Sequence, residues 1–274
     1  QGKINIQITN TKKNPERPEQ KLIRPDLIIP VEAFLLHRPE LISQIDEKLK
    51  GQQGIQTVAL VGPGGAGKTI LSRQCAHKQK AKIVWEIDAE TPESLKLSFE
   101  SLAQAFAKTE EDQKILREIQ EIKNASENEE KIIQFVKEHL RSHQSWFLVF
   151  DNVEEFANIH EYFPHDPITW GEGKIILTTR DANIQNNMYI NNTITLEELS
   201  SVQKLSLFTK IMTHGNMRPL TSTQIEEAKL FLEKLPPFPL DIVIAASYFR
   251  STTISFDKYL ELISKEASDI EKAL

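Results

Sequence analysis

Gly62-Pro63-Gly64-Gly65-Ala66-Gly67-Lys68-Thr69 stands between the apolar run Val58-Ala59-Leu60-Val61 and the helix-compatible Ile70-Leu71-Ser72-Arg73-Gln74-Cys75-Ala76. The spacing is G-x-x-x-x-G-K-[ST], and its flanks arrive in the order strand, loop, helix. A backbone that must come close to a polyphosphate needs residues without a Cβ, and Gly62, Gly64, Gly65 and Gly67 supply them. Their amides and the start of the following helix form a concave anion site, with Ala66 and Ile70 in the same expected contact set. Lys68 is expected to reach the β- and γ-phosphates, and the Thr69 hydroxyl to ligate Mg²⁺. The stretch therefore predicts a strand over 55–61 that delivers a nucleotide-binding loop.

Further strands follow outward from it. Ile83-Val84-Trp85-Glu86-Ile87-Asp88, Trp146-Phe147-Leu148-Val149-Phe150 and Ile175-Ile176-Leu177-Thr178-Thr179 are near-continuous apolar runs, and a weaker fifth falls at Thr193-Ile194-Thr195. Strands apolar on both faces belong to parallel sheets covered by helices on each side. Helical spacing appears between them, over 39–50 (Leu41, Ile45, Leu49), from Pro92 (Leu95, Phe99, Leu102, Phe106) and near 129–142. The charged stretch 108–131 keeps a narrow apolar face of Ile115, Ile119 and Ile122 and reads as solvated helix. The fold class expected is α/β, a doubly wound parallel sheet.

From about 198 the strand signals stop, and helical patterns take over at 199–213, 223–235, 239–250 and 257–272. The expected organisation is an N-terminal arm over 1–30 with one short strand at Ile4–Ile8, a nucleotide-binding domain over 31–197 and a small all-α domain over 198–274.

Asp151 ends the apolar strand that begins at Trp146, which places its carboxylate at the sheet's carboxyl edge, within reach of Mg²⁺. Asn152 follows it. An amide does not accept a proton at neutral pH, so hydrolysis is expected to be slow unless Glu154 or Glu155 substitutes. Arg180, at the end of Thr178-Thr179-Arg180, is expected to sense a γ-phosphate through its fork of donors, the alternative being a salt bridge to Asp181 or a neighbouring acid. Neither N-K-x-D nor T-K-x-D occurs, which favours adenine over guanine. The seven histidines are scattered, and no Ser/His/Asp or HExxH grouping appears.

Bulk properties bound the alternatives. The chain has 274 residues, 39% of them hydrophobic, and a formal net charge of -6, so nothing draws it as a whole to nucleic acid or an anionic membrane. A single cysteine, Cys75, excludes an internal disulfide and suits a reducing compartment. No apolar run approaches bilayer-spanning length and the polar start is not a signal peptide. The expectation is a soluble, cytoplasmic protein.

Taken together these elements resemble the NB-ARC branch of the STAND ATPases, a switch module found in apoptotic-protease activators and plant resistance proteins. Ahead of the loop, Phe34-Leu35-Leu36-His37-Arg38-Pro39-Glu40-Leu41 is similar to the family's hhGRExE element, with His37 at the glycine and Leu41 at the final acid. Val84-Trp85-Glu86-Ile87-Asp88-Ala89 resembles versions that precede tetratricopeptide repeats. Thr178-Thr179-Arg180 matches the sensor segment, and Pro237-Phe238-Pro239-Leu240 stands where the family has G-L-P-L. The resemblance implies that Arg38 lies by the base and that Pro239 packs against ADP or ATP held between the two domains. It also implies a winged-helix domain and sensor or repeat regions in the full-length protein, and nucleotide-dependent oligomerisation. Two rival readings remain at this point: an AAA+-like loader or mechanical ATPase, and a scaffold with ADP as a structural ligand.

Overall fold

The computed structural model describes residues 23–25, 27–51, 53–143, 145–214 and 219–273, with side chains through 265. The strand expected at Ile4–Ile8 lies outside them. After a 3₁₀ turn at Glu32–Phe34, α1 (Pro39–Lys48) leads to β1 (Ile55–Val61), α2 (Lys68–Lys78) and β2 (Ile83–Asp88). Three helices follow, α3 (Pro92–Phe106), α4 (Glu110–Gln120) and α5 (Ala125–Ser142), then β3 (Trp146–Val153). Two single-turn helices, α6 (Phe156–Ile159) and α7 (Pro167–Trp170), precede β4 (Gly173–Thr179) and β5 (Asn192–Thr195). The chain finishes in α8 (Ser201–Met212), α9 (Ser222–Glu233), α10 (Pro239–Ser251) and α11 (Phe256–Ala273).

Local chemistry sets many of these boundaries. Thr91, Thr109, Ser200 and Thr221 each accept a hydrogen bond from the amide three residues on, and the side chain there accepts one in return from the capping residue's own amide. Such reciprocal caps satisfy amides that a helix start leaves unpaired. Pro39, Pro92 and Pro239 occupy first-turn positions, where the missing N–H costs nothing.

The five strands form one parallel sheet in the order β2-β3-β4-β1-β5. Side-chain alternation divides its apolar residues between two faces. Val58, Leu60, Phe147, Val149 and Ile176 pack with α1 and α2, whereas Ala59, Leu148, Phe150, Ile175 and Leu177 pack with α3 and α5. Both faces are covered, as the apolar runs required, and the fold is the α/β parallel arrangement expected of them. The helices α8 to α11 build a third core around Phe208, Phe231, Ile242 and Phe249. Within it the Lys204 ammonium donates to the carbonyls of Leu232 at 2.6 Å and Leu235 at 3.3 Å, which pins α8 to the end of α9.

Two expectations need correction. In α4 the buried residues are Leu116 and Ile119, while Ile115 is 40% exposed; a face of Ile115, Ile119 and Ile122 ignored Leu116, which shares the inward side with Ile119 at i+3. The last helix before β3 begins at Ala125, because Asn124 caps it by accepting from the Glu127 amide at 3.1 Å.

Residues 23–25 and 27–30, expected as part of an arm, lie against the sheet edge and α2. Ile23 bridges Ile83 in parallel, and Arg24 donates to the carbonyls of Gln79 and Ala81. The carbonyls of Leu27 and Ile28 meet His77 and Arg73 on α2. No helix among the described residues is long and apolar enough to cross a membrane.

Candidate functional site

The carboxyl ends of β1, β3 and β4 converge on one edge, so the glycine loop, Asp151 and Arg180 meet there. Two glycines of the loop adopt left-handed backbone that side chains rarely take, Gly65 at φ 75° and Gly67 at φ 89°. A Cβ on Gly65 would meet Leu240 Cβ at 3.1 Å, and one on Gly67 would meet Pro239 Cγ at 3.7 Å. The amide of Leu240 also donates to the Gly65 carbonyl at 3.3 Å. The start of α10 therefore sits directly on the glycine loop, and a cleft of about 560 Å³ opens between the sheet and the terminal helices.

Its wall contains Arg38, Gly64 to Ile70, Asn152, Arg180 and Pro239. Gly62 is placed differently from the rest of its expected set. Its amide donates to Thr179 at 3.2 Å and its carbonyl accepts from Lys68 Nζ at 2.7 Å, so it closes the strand and tethers the lysine without facing the cleft. Lys68 Nζ also donates to the Pro63 carbonyl at 2.9 Å. Thr69 Oγ1 donates toward Asp151, 2.9 Å from each carboxylate oxygen, and the Thr178 hydroxyl donates to Asp151 Oδ1 at 2.6 Å. Arg38 is buried and donates from Nη1 to the Ala66 carbonyl at 3.2 Å, which ties the segment before α1 to the loop. The Arg180 guanidinium lies over Gly64, 3.6 Å from where a methyl group would project. Asp181 accepts from the Asn183 amide at 2.8 Å and caps the next turn, leaving Arg180 directed at the loop.

The electrostatics are those of an anion site. Burial, then the neighbouring charge of Arg180, holds the Lys68 ammonium below its ordinary value, with Asp151 opposing. A phosphate between Lys68 and Arg180 would relieve that repulsion. Burial raises the Asp151 carboxyl above its usual range, against donation from Thr178 and Thr69. A divalent cation would reverse that shift, and a hydroxyl beside a carboxylate is a hard-oxygen pair that suits Mg²⁺, which takes its remaining ligands from phosphate and water. Thr69 and Asp151 fit that ion. Behind them Arg73 grips Glu86 with two donors, at 2.7 and 2.6 Å. Cys75 is buried on α2 and its thiol is pushed up to about 12, mainly by burial, so it is an inert core residue.

Most of the remaining wall is apolar, with Pro30, Phe34, Leu36, Leu207 and Val243 among its residues. Sequence reasoning did not single out Leu207 or Val243, because on their helices they are indistinguishable from core positions. Gln74, a buried polar residue on α2 that also lines the cleft, carried a weak signal as an amide two turns beyond Lys68.

A glycine loop that leaves a strand hydrogen-bonded on both sides, enters a helix beginning Lys-Thr, and meets an aspartate from a second strand is the construction of P-loop nucleotide-binding proteins. The chain is of that class. A family model described as the NB-ARC domain matches residues 38–218, and the chain belongs to that family. Among curated proteins it is similar to the probable disease resistance protein RF9 of Arabidopsis thaliana, at 25% identity over 233 residues, covering 81% of this chain and 20% of that protein. It is also similar to the probable disease resistance protein RF45 of the same plant, at 27% identity over 197 residues, covering 68% and 18% respectively. The chain thus spans about a fifth of the length of these relatives. Among solved structures it resembles a Signal Transduction ATPase with Numerous Domains carrying a tetratricopeptide repeat sensor, from Pyrococcus horikoshii. That match has a TM-score of 0.41 and 16% identity over 78% of this chain and 30% of the other.

Proposed function

We propose that this chain is the nucleotide-dependent switch core of a larger signalling protein, holding ADP or ATP with Mg²⁺ in the cleft and hydrolysing ATP slowly. One observation carries the reading: α10 rests on the glycine loop through Pro239 and Leu240, so whatever occupies the loop is felt by the terminal helices. In this account residues 31–197 form the nucleotide-binding domain and 198–274 the helical domain that follows it. Lys68 and the loop amides bind phosphate, Thr69 and Asp151 hold the metal ion, and Arg38 with the apolar wall receives the base. Mg²⁺ supplies charge neutralisation on the phosphate oxygens. Arg180 contacts a γ-phosphate when one is present, and that difference in contact between ATP and ADP biases the angle between sheet and helices.

The much greater length of the plant relatives supports a setting of further domains; in this reading they include a winged helix and a sensor or repeat array, and the whole assembles in a nucleotide-dependent way in the cytoplasm. The acidic balance and Asn152 weigh against a motor. The test is to strip the protein of nucleotide, then titrate ADP, ATPγS, GDP and GTPγS with magnesium while following small-angle scattering. The reading predicts binding of the adenine nucleotides and a change of shape between ADP and ATPγS. Failure to bind at millimolar concentration, or identical scattering in both adenine states, contradicts it.

A further inference from the structure

A second cavity of about 200 Å³ adjoins the phosphate end of the cleft. It shares Lys68, Asn152 and Arg180 with the main cleft and adds Glu90, Val153, Glu154 and Thr179. Two cations thus border it on the loop side, and two carboxylates come from the ends of β2 and β3. The space is large enough for several waters. It opens beside Lys68 and Arg180, at the end of the cleft where the proposed reading puts the terminal phosphate.

The backbone places both residues at the rim of this cavity, and the sheet order separates their surroundings. Glu90 follows β2. The preceding amide, Ala89 N, donates to the Asp151 carbonyl at 2.8 Å, and the Glu90 amide donates to Asp88 Oδ1 at 3.1 Å, so its loop is tied to the strand that carries Asp151. Glu154 comes one residue after Val153, which pairs with Thr179. That register sets Glu154 beside Arg180 on the neighbouring strand end, placing an acid where it can pair with the guanidinium. Glu90 follows β2, which lies two strands from β4, a lateral separation of about 10 Å. Asn152, between them, offers only an amide.

We propose that Glu90 is the proton acceptor for ATP hydrolysis in this chain, with Glu154 as the counter-charge of Arg180. This rests on the reading of the cleft as an adenine-nucleotide site. A water in the side cavity attacks the γ-phosphorus and forms a new O–P bond. The bond from that phosphorus to the β-bridging oxygen breaks, and its electron pair leaves on ADP. The water proton passes to the Glu90 carboxylate and then to solvent, giving ADP and inorganic phosphate.

The test compares wild type with Glu90→Gln and Glu154→Gln, each checked by circular dichroism and melting. Two quantities are measured: ADP and ATPγS affinity by calorimetry, and single-turnover hydrolysis of bound ATP. Glu90→Gln is expected to slow hydrolysis about 100-fold or more. It should leave ADP affinity within about two-fold and hold or tighten ATPγS by a few-fold, because a negative charge near the γ-phosphate is gone. Glu154→Gln is expected to slow hydrolysis by less than about ten-fold and to shift the ratio of ATPγS to ADP affinity. Hydrolysis by Glu90→Gln at the wild-type rate overturns the proposal, as does a wild type that binds ATP and never cleaves it. A wild type that binds neither nucleotide overturns the nucleotide reading itself, so the two failures are told apart. Should Glu90→Gln melt early, Glu90→Asp serves in its place; it retains the acid one methylene back and is expected to keep part of the rate, and full activity there with none in Glu154→Gln reassigns the role to Glu154.

Discussion

Asn152 is the residue at which backbone and chemistry meet. It is the one non-glycine position among the described residues with positive φ, 60°, and its amide donates to Thr178 Oγ1 at 2.9 Å at the irregularity between Phe150 and Val153 in β3. That kink separates Asp151, directed at Thr69, from Val153, which re-enters the ladder opposite Thr179. Asn and Asp tolerate the left-handed region, whereas β-branched residues do not. Asn152→Val is therefore expected to destabilise the protein by about 1–2 kcal/mol in urea unfolding, and Asn152→Asp by much less. The aspartate variant brings a second acid to the cleft, so its single-turnover hydrolysis should exceed wild type. An unchanged rate would show that the amide does not limit turnover. Sequence alone gave Asn152 a chemical meaning, a missing acid; its conformational role was invisible there, because nothing in the letters marks a bulge.

At the scale of elements, strand pairing explains a glycine that looked incidental. Gly173 opens β4 opposite Trp146, and a Cβ on it would fall 2.1 Å from the indole. Trp146 is fully buried and its Nε1 donates to the Trp170 carbonyl at 3.0 Å, which holds the ring in place. Gly173→Ala should cost about 1–3 kcal/mol, the range of overpacked cores, read from denaturant midpoints; a neutral result would mean that the indole yields. A second element-level contact is the Arg73–Glu86 pair, which joins α2 to β2 behind the Thr69–Asp151 couple. Its side chains are 24% and 17% exposed, between the surface and buried regimes. A double-mutant cycle of Arg73→Met and Glu86→Gln is expected to give a coupling of about 1–2 kcal/mol. Coupling near zero would reduce the pair to a surface contact. The strands were legible because burial on both faces leaves an unbroken apolar run. The pairing partners were not, since register depends on residues more than twenty positions apart.

Over the whole molecule, the glycine loop, Asp151, Arg180, Arg38 and Pro239 could be named in advance because each carries a short signature beside a strand or helix end. Their convergence is a matter of topology: parallel strands send every carboxyl end to the same edge. The other half of the cleft was hidden. Leu207 and Val243 belong to helices whose faces look like ordinary core, and only the seating of α10 on Gly65 and Gly67 turns those faces toward the loop. Glu90 was hidden for a related reason, since a carboxylate in a loop carries no signal until the cavity beside Lys68 is seen. Ligand binding is predicted to run through the loop lysine, Lys68. The deciding measurement is calorimetric titration of nucleotide-stripped protein with ADP and magnesium, wild type against Lys68→Ala, after melting curves show both folded. Loss of a charged donor to phosphate should weaken binding by about 2–3 kcal/mol, roughly 30- to 150-fold. Undiminished ADP affinity in Lys68→Ala would contradict the phosphate-loop assignment and everything built upon it.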